Sequence, residues 1–282
     1  MPKNYNSFGG IGLDLSQYTQ RVMESHELYS AHLSETRTLK VYVSPGYPPQ
    51  KNHPVLYCHD GLEFFTHGRI ATLNNRLMAE EGTSPLIIVG IAVNKAYRTE
   101  DYAPGGVRHE AYNRFVVEEC VPFIENHYGL HPGLAARFMA GISLGGTASL
   151  DICLQYPQMF NKLLLFSGAF YGPALRAVEI RTDLSDLAAY MLVGREETAV
   201  ATPRGSFDIL TANRIMKQLL ETRGAILDYD EATGKHLWGF WQNHIPAALR
   251  WLNGHLPATV RRQSMPVVGP GTETPSSPVS RE

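Results

Sequence analysis

The sequence predicts an α/β protein with a doubly wound, mostly parallel sheet and an antiparallel hairpin at its N-terminal edge. Short apolar runs, as expected for strands covered on both faces, alternate with segments of helical period, which is typical of parallel sheets with crossover helices. Residues 25–43 instead contain two alternating runs, which favour an antiparallel hairpin. One domain is expected over residues 1–256. Residues 257–282, rich in Pro, Gly, Ser and Thr without periodicity, are predicted to be a disordered tail.

The predicted elements follow one another at short spacing. In the hairpin, S-E-T separates the two runs, and Tyr47-Pro48-Pro49 ends the pattern. Buried strands are predicted at 55–58, 85–93, 138–140, 163–170, 188–194 and 225–229. Helices are predicted at 64–79, 110–127, from Leu144 onward, 206–221 and around Trp241, with a kink at Pro122. The loop 94–109 is expected on the surface, either bordering a site or as a solvated connection.

Composition limits the classes of partner. The chain has 282 residues, 44% hydrophobic and 18% charged, which is enough to build one sizeable core. Its net charge of −2 and the lack of a basic stripe argue against a nucleic-acid partner.

Cysteine usage and apolar runs indicate the expected location. Cys58, Cys120 and Cys153 lie in predicted strands or helices and are interpreted as reduced, buried thiols. The N-terminus lacks the apolar core of a signal peptide, and no apolar run approaches the roughly 18 residues of a membrane span. A soluble, cytoplasmic protein without a membrane partner is therefore the default expectation.

The stretch A-G-I-S-L-G-G places Ser143 on a sharp turn between a predicted strand and a predicted helix. Gly141 and Gly145 flank the serine at two residues on either side, where small residues allow a tight turn and close packing of strand and helix. The free N–H groups at the start of the helix point to the same place. This geometry suits a nucleophile, although the pentapeptide alone also occurs as a packing motif.

A serine nucleophile needs an acid and then a histidine later in the chain. G-R-E-E follows the predicted strand 188–194, which makes Glu196 and Glu197 the candidate acids. His236 lies in a glycine-flanked loop after the next strand, whereas His244 lies inside the following helix, so His236 is the better candidate base.

The residues that end the first buried strand are H-D-G-L. Because His59 and Asp60 precede the serine, we interpret them as shaping the turn rather than as catalytic groups. The oxyanion hole is assigned to the backbone N–H groups of Leu62 and Leu144.

Several motifs, taken in order, resemble one branch of the α/β-hydrolases. They are S-P-G-Y, Y-C-H-D-G, F-V-V-E-E-C-V-P-F-I-E-N-H-Y, A-G-I-S-L-G-G, P-Q-M-F and G-K-H-L-W-G-F-W, between Ser25 and Leu252. The chain is similar to the putative esterase family, which includes esterase D, enterochelin esterases, feruloyl esterases and the antigen 85 acyltransferases. This resemblance implies an α/β-hydrolase fold without a large lid, no metal and no cofactor, and it supports Ser143 and His236.

The acid departs from the usual pattern of the family. Several branches carry aspartate where this chain has glutamate, and relatives often place the acid three residues after the glycine that ends the strand. Counting from Gly194, the resemblance selects Glu197.

These residues are compatible with three functions, of which two are enzymatic and one is not. The leading one is hydrolysis of a small-molecule carboxylic ester through an acyl-enzyme with a Ser-Glu-His triad. The alternatives are acyl transfer by the same triad and a non-catalytic binding protein of the same fold, against which the retention of all three residues argues. Whether the chain forms a homo-oligomer is left open.

Substrate-binding residues are the least defined prediction. Aromatic side chains after strand ends are candidates to line the pocket: Tyr97, Tyr102, Phe170, Tyr171 and Trp238. Arg98 or Arg108 would meet an acidic group. Ordinary packing and solubility roles for these side chains are at least as well supported by the sequence.

Overall fold

An eight-stranded sheet organises the protein. The computed structural model describes residues 21–45, 53–202 and 204–262. The strand order is β1-β2-β4-β3-β5-β6-β7-β10, while β8 and β9 form a separate antiparallel ribbon. The strands are β1 (Val22–Ser30), β2 (Glu35–Val43), β3 (Val55–Cys58), β4 (Ile87–Ile91), β5 (Arg137–Ile142), β6 (Lys162–Phe166), β7 (Ala188–Gly194), β8 (Val200–Thr202), β9 (Gly205–Phe207) and β10 (Ile226–Ala232).

The mixed sheet confirms the predicted fold class. β1 pairs with β2, and β2 with β4, in antiparallel register, and every other pair in the large sheet is parallel. The hairpin turn occupies 31–34, slightly before the predicted S-E-T. Ser30 Oγ accepts a hydrogen bond from Leu33 N (3.0 Å), and Leu33 is buried, so an apolar residue lies inside this turn. Tyr47-Pro48-Pro49 lies outside the described residues.

Helices cover both faces of the sheet. They are α1 (Gly61–Thr66), α2 (Ile70–Glu81), α3 (Arg98–Tyr102), α4 (His109–Arg114), α5 (Val121–His127), α6 (Leu144–Gln155), α7 (Pro173–Glu179), α8 (Ile209–Thr222), α9 (Trp238–Gly254) and α10 (Ala258–Arg262). One large buried cluster includes Phe115 and Ile152, a second includes Phe64 and Leu249, and a small third one includes Val193 and Ile209. Among the described residues, no helix has the length and apolar character needed to cross a membrane.

Three helix predictions need correction. The helix predicted over 64–79 is divided into α1 and α2, with Gly68 so close to α1 that a Cβ there would lie 2.7 Å from Phe64 O. The helix predicted from 206 begins at Ile209, because Asp208 accepts from Thr211 N (2.9 Å) as its N-cap. The expected kink at Pro122 takes the form of a π-helical turn, Phe115–Cys120, directly before α5.

Part of the loop predicted at 94–109 is folded and buried. It contains α3, in which Asp101 and Tyr102 are fully buried. Arg37 forms a buried ion pair with Asp101, and Arg108 Nε donates to the same carboxylate (2.7 Å). These charges lie inside the protein because each carboxylate oxygen has an arginine partner.

The first residues of the predicted tail, 257–262, are folded, and the rest of it lies outside the described residues. Pro257 accepts hydrogen bonds from Val260 N and Arg261 N, which start α10. Val260 is buried and packs in the same cluster as Leu256. The sequence pattern missed this helix because Pro257 was interpreted as the start of the tail rather than of a helix.

Candidate active site

Ser143 occupies a strained turn between β5 and α6. Its backbone has φ 56° and ψ −122°, a conformation that costs free energy for any residue with a Cβ. Its N–H donates to Phe166 O (2.9 Å), which fixes the turn to β6. Gly141 must be glycine here, since a Cβ would lie 2.1 Å from the Gly145 carbonyl carbon. The turn therefore presents a half-buried serine at the carboxyl ends of the parallel strands.

His236 and Glu197 form a hydrogen-bonded pair beyond the ends of β7 and β10. His236 Nδ1 donates to Glu197 Oε2 at 2.5 Å. The carboxylate is fully buried, and its other oxygen, Oε1, accepts from Ser167 Oγ (2.7 Å) and from Gly194 N (2.8 Å). Three donors thus offset the cost of burying this group. His236 remains 17% exposed, which leaves its ring accessible from the cleft.

The neighbouring Glu196 has a different environment. Its side chain is 46% exposed, and its carboxylate lies 3.9 Å from Lys235 Nζ. The structure therefore brings Glu197, and not Glu196, to His236. Glu196 instead faces solvent, with Lys235 as its positive neighbour.

Ser143 and His236 line the same two clefts. The larger cleft has a volume of about 440 Å³, and the smaller has about 320 Å³. Apolar groups from α7, from the loop before it, from the β8–β9 ribbon and from the start of α8 line the larger one: Ala169, Tyr171, Pro173, Val200, Phe207 and Ile209. The smaller one is bordered by Trp238 and Trp241. An uncharged group next to the serine would be well accommodated in the larger cleft.

The turns that begin α1 and α6 are in contact. β3 and β5 are parallel neighbours, and a Cβ on Gly145 would lie 3.1 Å from Asp60 Oδ2. Leu62 and Leu144 lie in the first turns of their helices, where backbone N–H groups have no acceptor within the helix. The N–H groups of Leu62 and Leu144 therefore remain our prediction for the oxyanion hole.

His59 is buried beside these turns. Its Nδ1 is 2.8 Å from Tyr112 Oη. Burial, together with the charges of Arg98 and His109, lowers the pKa of His59 to about 3. Asp60 has a left-handed backbone (φ 51°) and accepts two hydrogen bonds from Arg98 (2.8 and 2.7 Å). Both residues therefore have structural roles in the turn.

The predicted substrate-binding residues lie in different environments. Tyr171 and Trp238 line the clefts, and Arg98 does so while its guanidinium is paired with Asp60. Phe170 is fully buried in the core and contacts no cleft, which corrects its prediction.

Three further residues lie away from the clefts. Tyr97 stacks under the guanidinium of Arg108 (4.3 Å) and lines neither cleft, so its role in substrate binding stays a prediction. Tyr102 is buried, and its hydroxyl accepts from Asp60 N (3.1 Å). Arg108 is paired with Asp101 and Glu35.

Ser167, Trp241 and Phe207 were not predicted as site residues. Trp241 belongs to the quoted G-K-H-L-W-G-F-W stretch. Ser167 directly follows β6, so its position at a strand end could have indicated a site residue. No local pattern indicated Phe207, which reaches the cleft only because β8 and β9 fold back.

The group best suited to hold a metal ion lies elsewhere. Glu24 and His26 on β1 and His127 at the end of α5 have potential ligand atoms within 4.8 Å of one another. Tyr128 Oη already bonds to Glu24 Oε2 (2.6 Å) and His26 Nε2 (2.9 Å). Among the described residues no such cluster borders the Ser143 clefts.

Comparison with known proteins agrees with this architecture. A sequence model of the family described as Putative esterase matches residues 30–252. The chain is 33% identical over 230 residues to the uncharacterized protein YjcH of Bacillus subtilis (strain 168), covering 81% of this chain and 96% of that protein. It is 28% identical over 159 residues to an endo-1,4-beta-xylanase/feruloyl esterase of Xylanibacter ruminicola, covering 51% of this chain and 21% of that protein.

Solved structures share the fold. A ferulic acid esterase superposes with a TM-score of 0.70 at 19% identity, covering 84% of this chain and 99% of that one. The enterobactin esterase FES from Shigella flexneri gives a TM-score of 0.69 at 18% identity, covering 82% of this chain and 59% of that one. At these identities the likeness establishes the fold.

Proposed function

Since the chain belongs to the family described as Putative esterase and has the α/β-hydrolase fold, we propose that it is a serine-dependent carboxylic-ester hydrolase acting through an acyl-enzyme. The observation that carries this proposal is the shared cleft of Ser143 and His236, with His236 Nδ1 bonded to the buried Glu197. A strained serine, a buried carboxylate and a histidine, in this chain order, match the requirements of acyl transfer to serine.

The first half of the reaction forms the acyl-enzyme. His236 Nε2 takes the proton of Ser143 Oγ as the oxygen attacks the ester carbonyl carbon. The carbonyl oxygen becomes an oxyanion and accepts from the N–H groups of Leu62 and Leu144. When the intermediate collapses, the bond from carbon to the alcohol oxygen breaks, and His236 gives its proton to the leaving alcohol.

The second half repeats these steps with water. His236 takes a proton from water, whose oxygen attacks the acyl carbon and displaces Ser143 Oγ. The serine recovers its proton, and the carboxylic acid product leaves. Throughout, Glu197 holds Nδ1–H, which keeps Nε2 available as the base and stabilises the imidazolium.

The larger cleft supports a small ester with an apolar or aromatic part. Tyr171 and Phe207 pack together there with ring centroids 5.0 Å apart, and Val200 and Pro173 extend the same wall. Relatives named for feruloyl and acetyl esters make these two acyl groups the first to compare. We propose that 4-nitrophenyl acetate and methyl ferulate both enter this cleft.

Hydrolysis of 4-nitrophenyl acetate tests the proposal. Ser143→Ala should lower kcat by about 10³-fold or more, because it removes the nucleophile. Ser44→Ala is a matched control, since Ser44 is a buried serine that donates to Leu86 O (2.6 Å) at the far end of β2. It should retain activity. A Ser143→Ala protein that turns over as fast as the wild type would refute a serine mechanism at this site.

A further inference from the structure

We propose that Ser167 is a positioning residue that holds the Glu197 carboxylate in the orientation in which one of its oxygens faces His236. The inference rests on the proposed function, since it assigns a role beside the proposed acid. Ser167 is fully buried directly after β6, and its hydroxyl lies 2.7 Å from Glu197 Oε1.

The chemistry of the neighbours fixes the direction of the hydrogen bonds around Ser167. Trp241 Nε1 lies 2.8 Å from Ser167 Oγ, and an indole N–H can only donate. Ser167 Oγ therefore accepts from Trp241 and directs its own hydrogen to Glu197, which as a carboxylate only accepts. A one-way chain runs from the indole through the hydroxyl to the acid.

This chain leaves Glu197 with one orientation. Oε1 is bonded by both Ser167 Oγ and Gly194 N, while Oε2 accepts from His236 Nδ1. Rotating the carboxylate out of this position would break two hydrogen bonds to a charged, fully buried group. Ser167 thereby helps hold Oε2 in line with the imidazole.

The backbone holds Ser167 in a costly conformation at this position. Its φ is 48°, in the region that side chains with a Cβ seldom adopt. Its N–H donates to Leu192 O (2.6 Å) in β7, the strand that leads to Gly194 and Glu197. The serine is thus fixed to the same strand end that carries the acid.

Trp241 contacts the other member of the pair. Its ring lies edge-on to the His236 imidazole, with centroids 4.8 Å apart and planes at 88°. One indole side chain therefore packs against the base and, through Ser167, orients the acid. If Ser167 had only a structural role, its hydroxyl would satisfy buried polar groups. Its loss would then lower kcat by the same factor whether or not Glu197 is present.

Kinetics of Ser167 variants distinguish the two roles. Ser167→Ala should lower kcat about ten- to hundredfold, as expected when a hydrogen bond to a charged group is lost, with KM changed less than about twofold. Ser167→Gly is a second variant, because glycine accepts the positive φ and protects folding. Ser44→Ala removes another buried hydroxyl that donates and accepts, and it should leave kcat unchanged.

A double-mutant cycle with Glu197→Gln measures whether Ser167 acts through the acid. If Ser167 acts through the acid, Ser167→Gly should cost less than about threefold in kcat once Glu197 is replaced. Losses that multiply in the double variant, or full activity of both Ser167 variants, would overturn the positioning role. Ser143→Ala in the same assay tests the proposed function separately: an active Ser143→Ala would overturn the esterase mechanism itself.

Discussion

Environment decides the chemistry of the two adjacent glutamates. Glu197 is fully buried with three hydrogen-bond donors, whereas Glu196 is 46% exposed beside Lys235. Successive side chains after a strand end diverge, so only one of the pair faces His236. The position of the acid in relatives selected Glu197, and the structure shows the three hydrogen-bond donors around its carboxylate.

The acid role predicts unequal effects of matched substitutions. Glu197→Gln should lower kcat by about 10³–10⁴-fold, because an amide cannot hold the Nδ1–H tautomer or stabilise the imidazolium. Glu196→Gln should change kcat by less than about threefold. Steady-state kinetics on 4-nitrophenyl acetate, with circular dichroism to check folding, measure both effects. A severe loss for Glu196→Gln with an active Glu197→Gln would transfer the role to Glu196.

Chain order identified Ser143 and His236, but it did not identify the residues that line the cleft. Phe170 and Tyr171 are adjacent after β6, and no pattern in the sequence distinguishes their environments. The loop turns so tightly at Gly168 that a Cβ there would lie 2.2 Å from the Phe170 ring. That turn buries Phe170 and leaves Tyr171 at the cleft, which depends on three-dimensional packing rather than on local pattern.

At the scale of elements, buried strands were the most predictable features. Continuous apolar runs predicted β3, β4 and β7, because a strand covered on both faces needs apolar side chains at every position. Helix ends were less predictable. The apolar periodicity of 64–79 continues across Gly68, but Gly68 N donates to Glu63 O and Arg69 has a left-handed backbone (φ 51°), which ends the helix there.

The β8–β9 ribbon shows a second limit of sequence patterns. Its strands have three residues each, too few for alternation to be recognised, and Ser206 and Phe207 also fit the helix that follows. The ribbon nonetheless contributes Val200 and Phe207 to the larger cleft. Short elements that border a site are therefore the part of this fold that the sequence could not predict.

For the whole molecule, the sheet order explains where the site lies. β3, β5, β6, β7 and β10 are parallel, so their carboxyl ends bring the loops of Asp60, Ser143, Ser167, Glu197 and His236 to one edge. The division into a domain over 1–256 and a disordered tail remains our proposal, with α10 showing that structure extends past 257.

Folding stability should depend on pH through His59. In the folded protein, burial, Arg98 and His109 lower the pKa of His59 to about 3, whereas an unfolded histidine has a pKa of about 6.5. Between these values the unfolded chain binds a proton that folded His59 does not. The contribution of His59 to the free energy of unfolding is therefore complete above about pH 6.5. It falls by about 1.4 kcal/mol per pH unit as the pH drops toward 3.

Urea unfolding at pH 7.0, 5.5 and 4.5 measures this contribution. His59→Gln should lose less stability on acidification than the wild type, by about 1 kcal/mol per unit below pH 6. His131→Gln replaces an exposed histidine and should follow the wild-type slope. All other titratable residues are the same in His59→Gln and the wild type, so the difference in slope reports His59 together with its charge interaction with His109. Equal slopes for His59→Gln and the wild type would contradict neutral burial of His59.

The central claim is that Ser143 is a nucleophile activated by His236. Mass spectrometry after treatment with a fluorophosphonate tests it most directly, because this reagent traps an activated serine covalently without any knowledge of the natural substrate. One phosphonyl group per chain should be found on the peptide that contains Ser143, with none in Ser143→Ala and labelling slowed by orders of magnitude in His236→Ala. Labelling that persists unchanged in Ser143→Ala, or that falls on another residue of the wild type, would contradict the account.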